Sequence, residues 1–85
     1  MSVALKMEMP DEAFSALRKS PDEFLQEMRL TAAVKWYEMT LISQEKAAQI
    51  AGVTRVDFIA ELERFRVSPF QYSVGEVLDE LSNAD

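Results

Sequence analysis

The side chains best placed for intermolecular chemistry lie between Ser43 and Arg66, in the run SQEKAAQIAGVTRVDFIAELERFR. Its cations are Lys46, Arg55, Arg64 and Arg66, and its anions Glu45, Asp57, Glu61 and Glu63, four against four. The first residues of a helix laid in a duplex groove meet base edges, while Lys and Arg around it hold phosphates. On that pattern Thr54, Arg55, Val56 and Asp57 would face a major groove, and Lys46, Arg64 and Arg66 would reach phosphates. The balanced charge argues for weak DNA binding by a lone subunit, because a DNA-reading helix normally sits in a positive field. Covalent chemistry fits less well. The chain has no histidine and no cysteine, so its serines lack the usual activating base and the usual zinc ligands are missing. The carboxylate pairs Asp11/Glu12, Asp22/Glu23 and Asp79/Glu80 sit at helix starts or on solvated faces, where dipole or surface solvation explains them. Only Gly52 and Gly75 occur, so no phosphate-cradling loop is present. No enzyme activity, cofactor or metal is expected.

The elements that must position these residues read as two short helices and a corner. Ser43 is an N-cap. Ala47, Ala48, Ile50 and Ala51 give a small apolar face that allows close approach, and Gly52 stops the first helix in a left-handed turn. Val53 plugs the angle. Thr54 caps the second helix with Asp57 three residues on, a capping-box variant, and Phe58, Ile59, Leu62 and Phe65 recur on one side. Alanines for contact, glycine for the corner and a bulky filler make a helix-turn-helix. The same residues also suit a bihelical corner used only for packing.

The rest of the chain supports that centre. Residues 2–9, SVALKMEM, alternate with Val3, Leu5, Met7 and Met9 on one side, the period of a half-buried strand. Its mate is either a second copy, as in a dimer-forming ribbon, or the strand-like piece Phe70–Tyr72. Pro10 opens a short helix from Asp11 to about Lys19, with Ala13, Phe14 and Leu17 inward and Arg18 and Lys19 at the negative end. Ser20-Pro21-Asp22-Glu23 is a full capping box, opening a helix to about Met39. That helix carries two apolar stripes: Leu25, Met28, Ala32, Trp36 and Met39, and Leu30, Val34, Tyr37 and Leu41. Two stripes imply cover on more than one side, so this is the central core helix, and part of the second stripe also suits a subunit interface. The five methionines read as pliable core filler. After Pro69 and the extended Phe70, Gln71 and Tyr72, a capping box at Ser73–Glu76 opens a terminal helix. Its apolar residues are Val74, Val77, Leu78 and Leu81, and the segment is purely anionic, with Glu76, Asp79, Glu80 and Asp85. It reads either as an ordinary packed terminal helix or as a tail in which Phe70, Tyr72, Val74, Val77, Leu78 and Leu81 bind a partner.

The expected fold is a mainly α, helix-turn-helix-centred small domain with a short N-terminal strand and a short C-terminal strand-like segment. It is one domain over residues 1–85: strand 1–9, helices 10–42, helix-turn-helix 43–66, and C-terminal segment with terminal helix 67–85. At 85 residues a chain buries a modest share of its surface, and a homodimer is a common remedy. A net charge of −6 disfavours nonspecific nucleic-acid binding. The absence of cysteine fits a reducing, cytoplasmic setting, the N-terminus MSVALKMEMP does not read as a signal peptide, and no apolar run suits a membrane helix.

The combination of alternating start, a helix ending near KWYEMTLIS, and QEKAAQIAGVTRVDFIAELERFRVSPFQYSVGEVLDEL resembles uncharacterised protein family 0175 over most of the chain. The most telling parts are Ile42-Ser43, Lys46-Ala47-Ala48, Ala51-Gly52, Phe58 and Pro69–Tyr72. The resemblance implies a small prokaryotic antitoxin that binds a toxin protein partner, often a PIN-domain ribonuclease, and represses its own promoter. Many such proteins carry a glycine and a basic residue just before the Ile-Ser pair, where this chain has Met39-Thr40-Leu41.

Overall fold

A computed structural model describes residues 2–70, and four helices occupy them: α1 Asp11–Leu17, α2 Pro21–Glu38, α3 Gln44–Ala51 and α4 Arg55–Arg64. Tyr72 of the expected extended piece and the expected terminal helix with Val74, Val77, Leu78 and Leu81 lie outside the described residues. The architecture is therefore mainly α, but the expected strands are absent among the described residues. Over residues 2–9, Val3, Leu5 and Met7 are 84%, 93% and 65% exposed. Alternation marks a strand only where an edge accepts it, and no described residue offers that edge. Phe70 at the other expected strand lies in a turn.

Helix starts follow the local signals. The Ser20 hydroxyl accepts from the Glu23 N–H at 3.3 Å while the Ser20 N–H donates to the Glu23 carboxylate at 3.1 Å, a reciprocal box at the head of α2. Ser43 and Thr54 accept from the N–H groups of Lys46 and Asp57, each at 3.1 Å. Pro10 is one position earlier than expected. It is the N-cap of α1, with φ −61° and ψ 145°, and contributes no side-chain cap. Arg18 and Lys19 lie beyond the end of α1 instead of in its last turn.

All four helices stop the same way. One or two residues past each helix end, a residue donates three residues back and the next donates five residues back, the paired bonds of a Schellman motif. The pairs are Arg18 to Ser15 and Lys19 to Phe14, Thr40 to Tyr37 and Leu41 to Trp36, Gly52 to Gln49 and Val53 to Ala48, and Arg66 to Glu63 and Val67 to Leu62, all between 2.9 and 3.3 Å. The pivot residue is left-handed each time, with φ of 53°, 61°, 74° and 57° at Arg18, Thr40, Gly52 and Arg66. Only one of these four pivots is glycine.

The core gathers Leu30, Ala33, Val34 and Tyr37 of α2, Ala47, Ala48 and Ala51 of α3, Phe58 and Leu62 of α4, and Val67. Tyr37 and Phe58 meet edge to face with centroids 5.9 Å apart. Each fully buried large side chain stabilises the fold by about 1.5–3 kcal/mol. Val53 and Phe65 pack at the margin, and Ile59, expected inward, is 37% exposed. Of the two stripes on α2, the second is the one inside: Leu30, Val34 and Tyr37 are buried in the chain's own core and are not a free subunit face, although Leu41 is exposed. Leu25, Trp36 and Met39 of the first stripe point outward at 54%, 42% and 51% exposure. Small α1 is attached to α2 by Phe14 and Phe24, whose rings meet at 5.0 Å, and buries no residue of its own.

Candidate functional site

The corner formed by α3, Gly52 and α4 is the expected helix-turn-helix. Its angle is held from outside by α2. Gln26 Nε2 donates to the Ala51 carbonyl at 2.8 Å, and Arg29 Nε to the Ile50 carbonyl at 2.9 Å. These are carbonyls that a helix end leaves without an intrahelical partner. Gly52 sits against the Arg29 guanidinium, so a Cβ there would lie 2.9 Å from Arg29 Nη2.

A second device fixes the far side. Gln44, the first residue of α3, is 5% exposed. Its amide Nε2 lies 2.8 Å from the Pro69 carbonyl and 3.1 Å from the Tyr37 hydroxyl, and its Oε1 accepts from Arg55 Nε at 3.1 Å. The Tyr37 hydroxyl donates to the same Pro69 carbonyl at 2.7 Å. Four stretches of chain, α2, α3, α4 and the segment after α4, meet at one buried amide. Nothing local in the sequence marks Gln44 or Tyr37 for this role, because the partners are 7 to 32 residues apart.

Thr54, Arg55, Val56 and Asp57 come together at the exposed start of α4, as the sequence pattern requires. Their availability differs. The Thr54 hydroxyl is occupied as the helix cap, and Arg55 leans on Gln44. Val56 is 77% exposed and Asp57 is exposed beside it. Lys46, on α3, is exposed with Nζ 3.5 Å from Gln49 Oε1.

Arg64 and Arg66 belong to the other end of α4. Arg64 donates to Glu61 at 2.8 Å and to both oxygens of Glu27 at 3.1 and 3.2 Å, with its guanidinium 4.5 Å from the centre of the Phe65 ring. The Glu61 carboxylate, backed by Glu27 against slight desolvation, raises the Arg64 pKa above its ordinary value. This cation is turned toward α2 and already neutralised. Arg66 is exposed and left-handed. The corner thus carries no continuous positive face.

Among the described residues no group of three acidic, histidine or cysteine side chains could hold a metal ion, and no described helix is long and apolar enough to cross a membrane. Of the residues expected to bind a partner, Phe70 is 85% exposed, and the others lie outside the described residues.

Comparison with known proteins gives a consistent family and no structural neighbour. The model of the Uncharacterised protein family UPF0175 matches residues 1–85. A UPF0175 protein of Aeropyrum pernix is 38% identical over 55 residues, covering 65% of this chain and 70% of that protein. A second UPF0175 protein of the same organism is 33% identical over 73 residues, covering 86% of this chain and 81% of its relative. No solved structure matches. With the family model spanning every residue and two relatives bearing the family's name, the chain belongs to the UPF0175 family.

Proposed function

We propose that this protein is the antitoxin-like half of a toxin–antitoxin pair: a non-enzymatic, cytoplasmic homodimer that binds and silences a partner toxin, such as a PIN-type nuclease, and touches DNA weakly through its corner. The observation that carries the reading is the contrast between a well-built helix-turn-helix and its charge. The angle is fixed by Gln26, Arg29 and Gln44, and the start of α4 is exposed, yet its cations are balanced by acids or tied to them. Affinity for phosphates from one subunit would be low, so two α4 helices held by a dimer, or by a dimer with its toxin, are needed for useful binding. The test is co-purification with the product of the adjacent reading frame, followed by a gel shift on the chain's own upstream DNA at low salt, with and without that product. Co-purification plus a shift supports both halves. No shift in either case removes DNA. No co-purification, and no effect on the neighbour's activity, removes the antitoxin reading.

A second reading is favoured by Arg64, whose guanidinium is spent on Glu27 and Glu61. Here the corner is architecture only, and the protein is a protein-interaction module that does not bind DNA. If Arg55→Ala with Arg64→Ala left every activity intact, this reading would replace the first.

A further inference from the structure

The outer face of α2 is unusual for a surface. Leu25, Met28, Ala32, Trp36 and the C-cap Met39 lie on the side of the helix opposite Leu30 and Val34. Leu25, Trp36 and Met39 are exposed, and Met28 and Ala32 between them are half-buried. A helix apolar on both sides is normally covered on both sides. No charged residue belongs to the stripe. Lys35 at its border is paired with Glu38 at 2.8 Å and remains 65% exposed, so covering the stripe strands no cation. Its spacing is the telling feature. The successive steps are three, four, four and three residues, the same read from either end, with the smallest member, Ala32, at the centre. A two-fold contact between identical helices requires that symmetry, because residue i must meet residue j and j must meet i. Set antiparallel about Ala32, two copies match every member: Ala32 on Ala32, Met28 on Trp36, and Leu25 on Met39.

We infer that this stripe is the subunit interface: α2 of one copy packs antiparallel on α2 of a second copy, with the two-fold axis passing through Ala32. This deepens the homodimer of the proposed function and rests on that part of it alone. Steps of three and four keep the stripe nearly along the helix axis, the seam of two helices crossing at about 20°. Alanine at the crossing lets the axes approach to about 8 Å. A thioether against an aromatic ring, as Met28 would lie against Trp36 of the second copy, is a favourable contact. Any other occupant has no cause to match a stripe symmetric about its own midpoint. Residues 2–9 are the poorer cover, because their apolar side chains recur every second residue and do not follow steps of three and four. The paired stripes run fourteen residue steps, about 21 Å, a contact at the small end of specific interfaces. The dimer is therefore concentration-dependent, and each copy keeps its own core around Tyr37 and Phe58 when alone.

The chain has one tryptophan and no cysteine, which makes the test direct. The full chain is followed by sedimentation over a wide range of concentration, with Trp36 fluorescence read at each point. The expected result is a mass that rises to the dimer while Trp36 shifts to the blue. Full-length Ala32→Cys, Leu25→Cys, and Leu25→Cys with Met39→Cys are then oxidised and run without reductant. Ala32→Cys should form a cross-linked dimer, since axes about 8–10 Å apart leave the two Cα atoms about 4–6 Å apart, within disulfide reach. Leu25→Cys alone should stay monomeric and the double variant should cross-link, because only an antiparallel pair sets 25 against 39. Ala32→Glu, and separately Leu25→Lys, should hold the chain monomeric at the highest concentration with unchanged helical circular dichroism, as neither side chain faces the core. A dimer that survives both substitutions overturns the proposal and leaves the homodimer standing. A parent chain monomeric throughout overturns both; if Ala32→Glu then still shifts Trp36, the cover belongs to the same chain. Cross-linking of Leu25→Cys alone overturns the antiparallel arrangement. Should either charged variant lose its helical signal, the other and the disulfides decide. Toxin co-purification and the gel shift are read separately, so those readings fail independently of this one.

Discussion

Two stops of this chain, at Thr40 after α2 and at Gly52 after α3, make the same pair of backbone bonds with the same left-handed pivot, φ 61° against 74°. One pivot is a β-branched residue, for which that conformation is costly, and the other is the residue that adopts it freely. The difference separates what terminates a helix from what announces its termination. The same backbone bonds close both stops; glycine only lowers the strain of the pivot. Thr40 stands where the family resemblance leads one to expect glycine nearby, so the chain carries the strain at the loop between its longest helix and its corner. The Thr40 hydroxyl lies 2.6 Å from the Met39 carbonyl, a local bond that supports the turn.

This comparison can be broken or sharpened by substitution. The largest effect is expected not at a pivot but at the amide that anchors the chain after the Arg66 stop. Gln44→Ala leaves the partly buried Pro69 carbonyl and the Tyr37 hydroxyl with one partner fewer and should destabilise by about 1–3 kcal/mol in urea melts. A change no larger than that of an exposed substitution would mean the amide is replaceable by water. Gly52→Ala comes next, at about 1–2 kcal/mol for a side chain in the left-handed region. It must also displace the Arg29 guanidinium from 2.9 Å. Thr40→Gly should act in the opposite direction, raising the midpoint by up to about 1 kcal/mol, the left-handed strain relieved less the greater freedom of glycine when unfolded. If Thr40→Gly destabilised the protein, the side chain would be worth more than its strain and the comparison would be wrong.

The smallest effect belongs to the best-formed helix start. The Ser20 backbone N–H, and then the Ser20 hydroxyl, lower the pKa of the Glu23 carboxyl. Because the folded value is depressed, the contribution of Glu23 is complete above the ordinary carboxylate range and is lost as pH falls through the folded pKa. Glu23→Gln should therefore lower the neutral plateau slightly, leave the acid end where it is, and so flatten the acid limb of the stability curve. An unchanged acid limb would remove the carboxylate from the box.

The same contrast explains which parts of the molecule could be read in advance. Ser20, Ser43 and Thr54 were legible as caps because each acts within three residues of itself, and Gly52 because its residue type marks the turn. Thr40, Arg18 and Arg66 make the same stop, but their residue types carry no marker for it. The alternation of residues 2–9 is a local pattern whose meaning depends on a distant edge, and without that edge these residues form no strand. On α2 both stripes look alike in sequence; only the positions of α3 and α4 decide that Val34 is inside and Trp36 outside. Thr54, Arg55, Val56 and Asp57 are neighbours in sequence, so their shared place at the start of α4 is legible from the cap alone. The pairing of Arg64, expected to reach phosphates, is not, because its carboxylate partner Glu27 is 37 residues away.

The ties from Gln26 and Arg29 to the last carbonyls of α3 have a dynamic consequence. The closing turn of a short helix ordinarily frays on its own. Here it opens only when a neighbouring rod lifts away, so solvent exchange at the Gly52 and Val53 amides becomes a gauge of interhelical docking. The helix that precedes the corner thereby governs how long the bend between the next two keeps its shape.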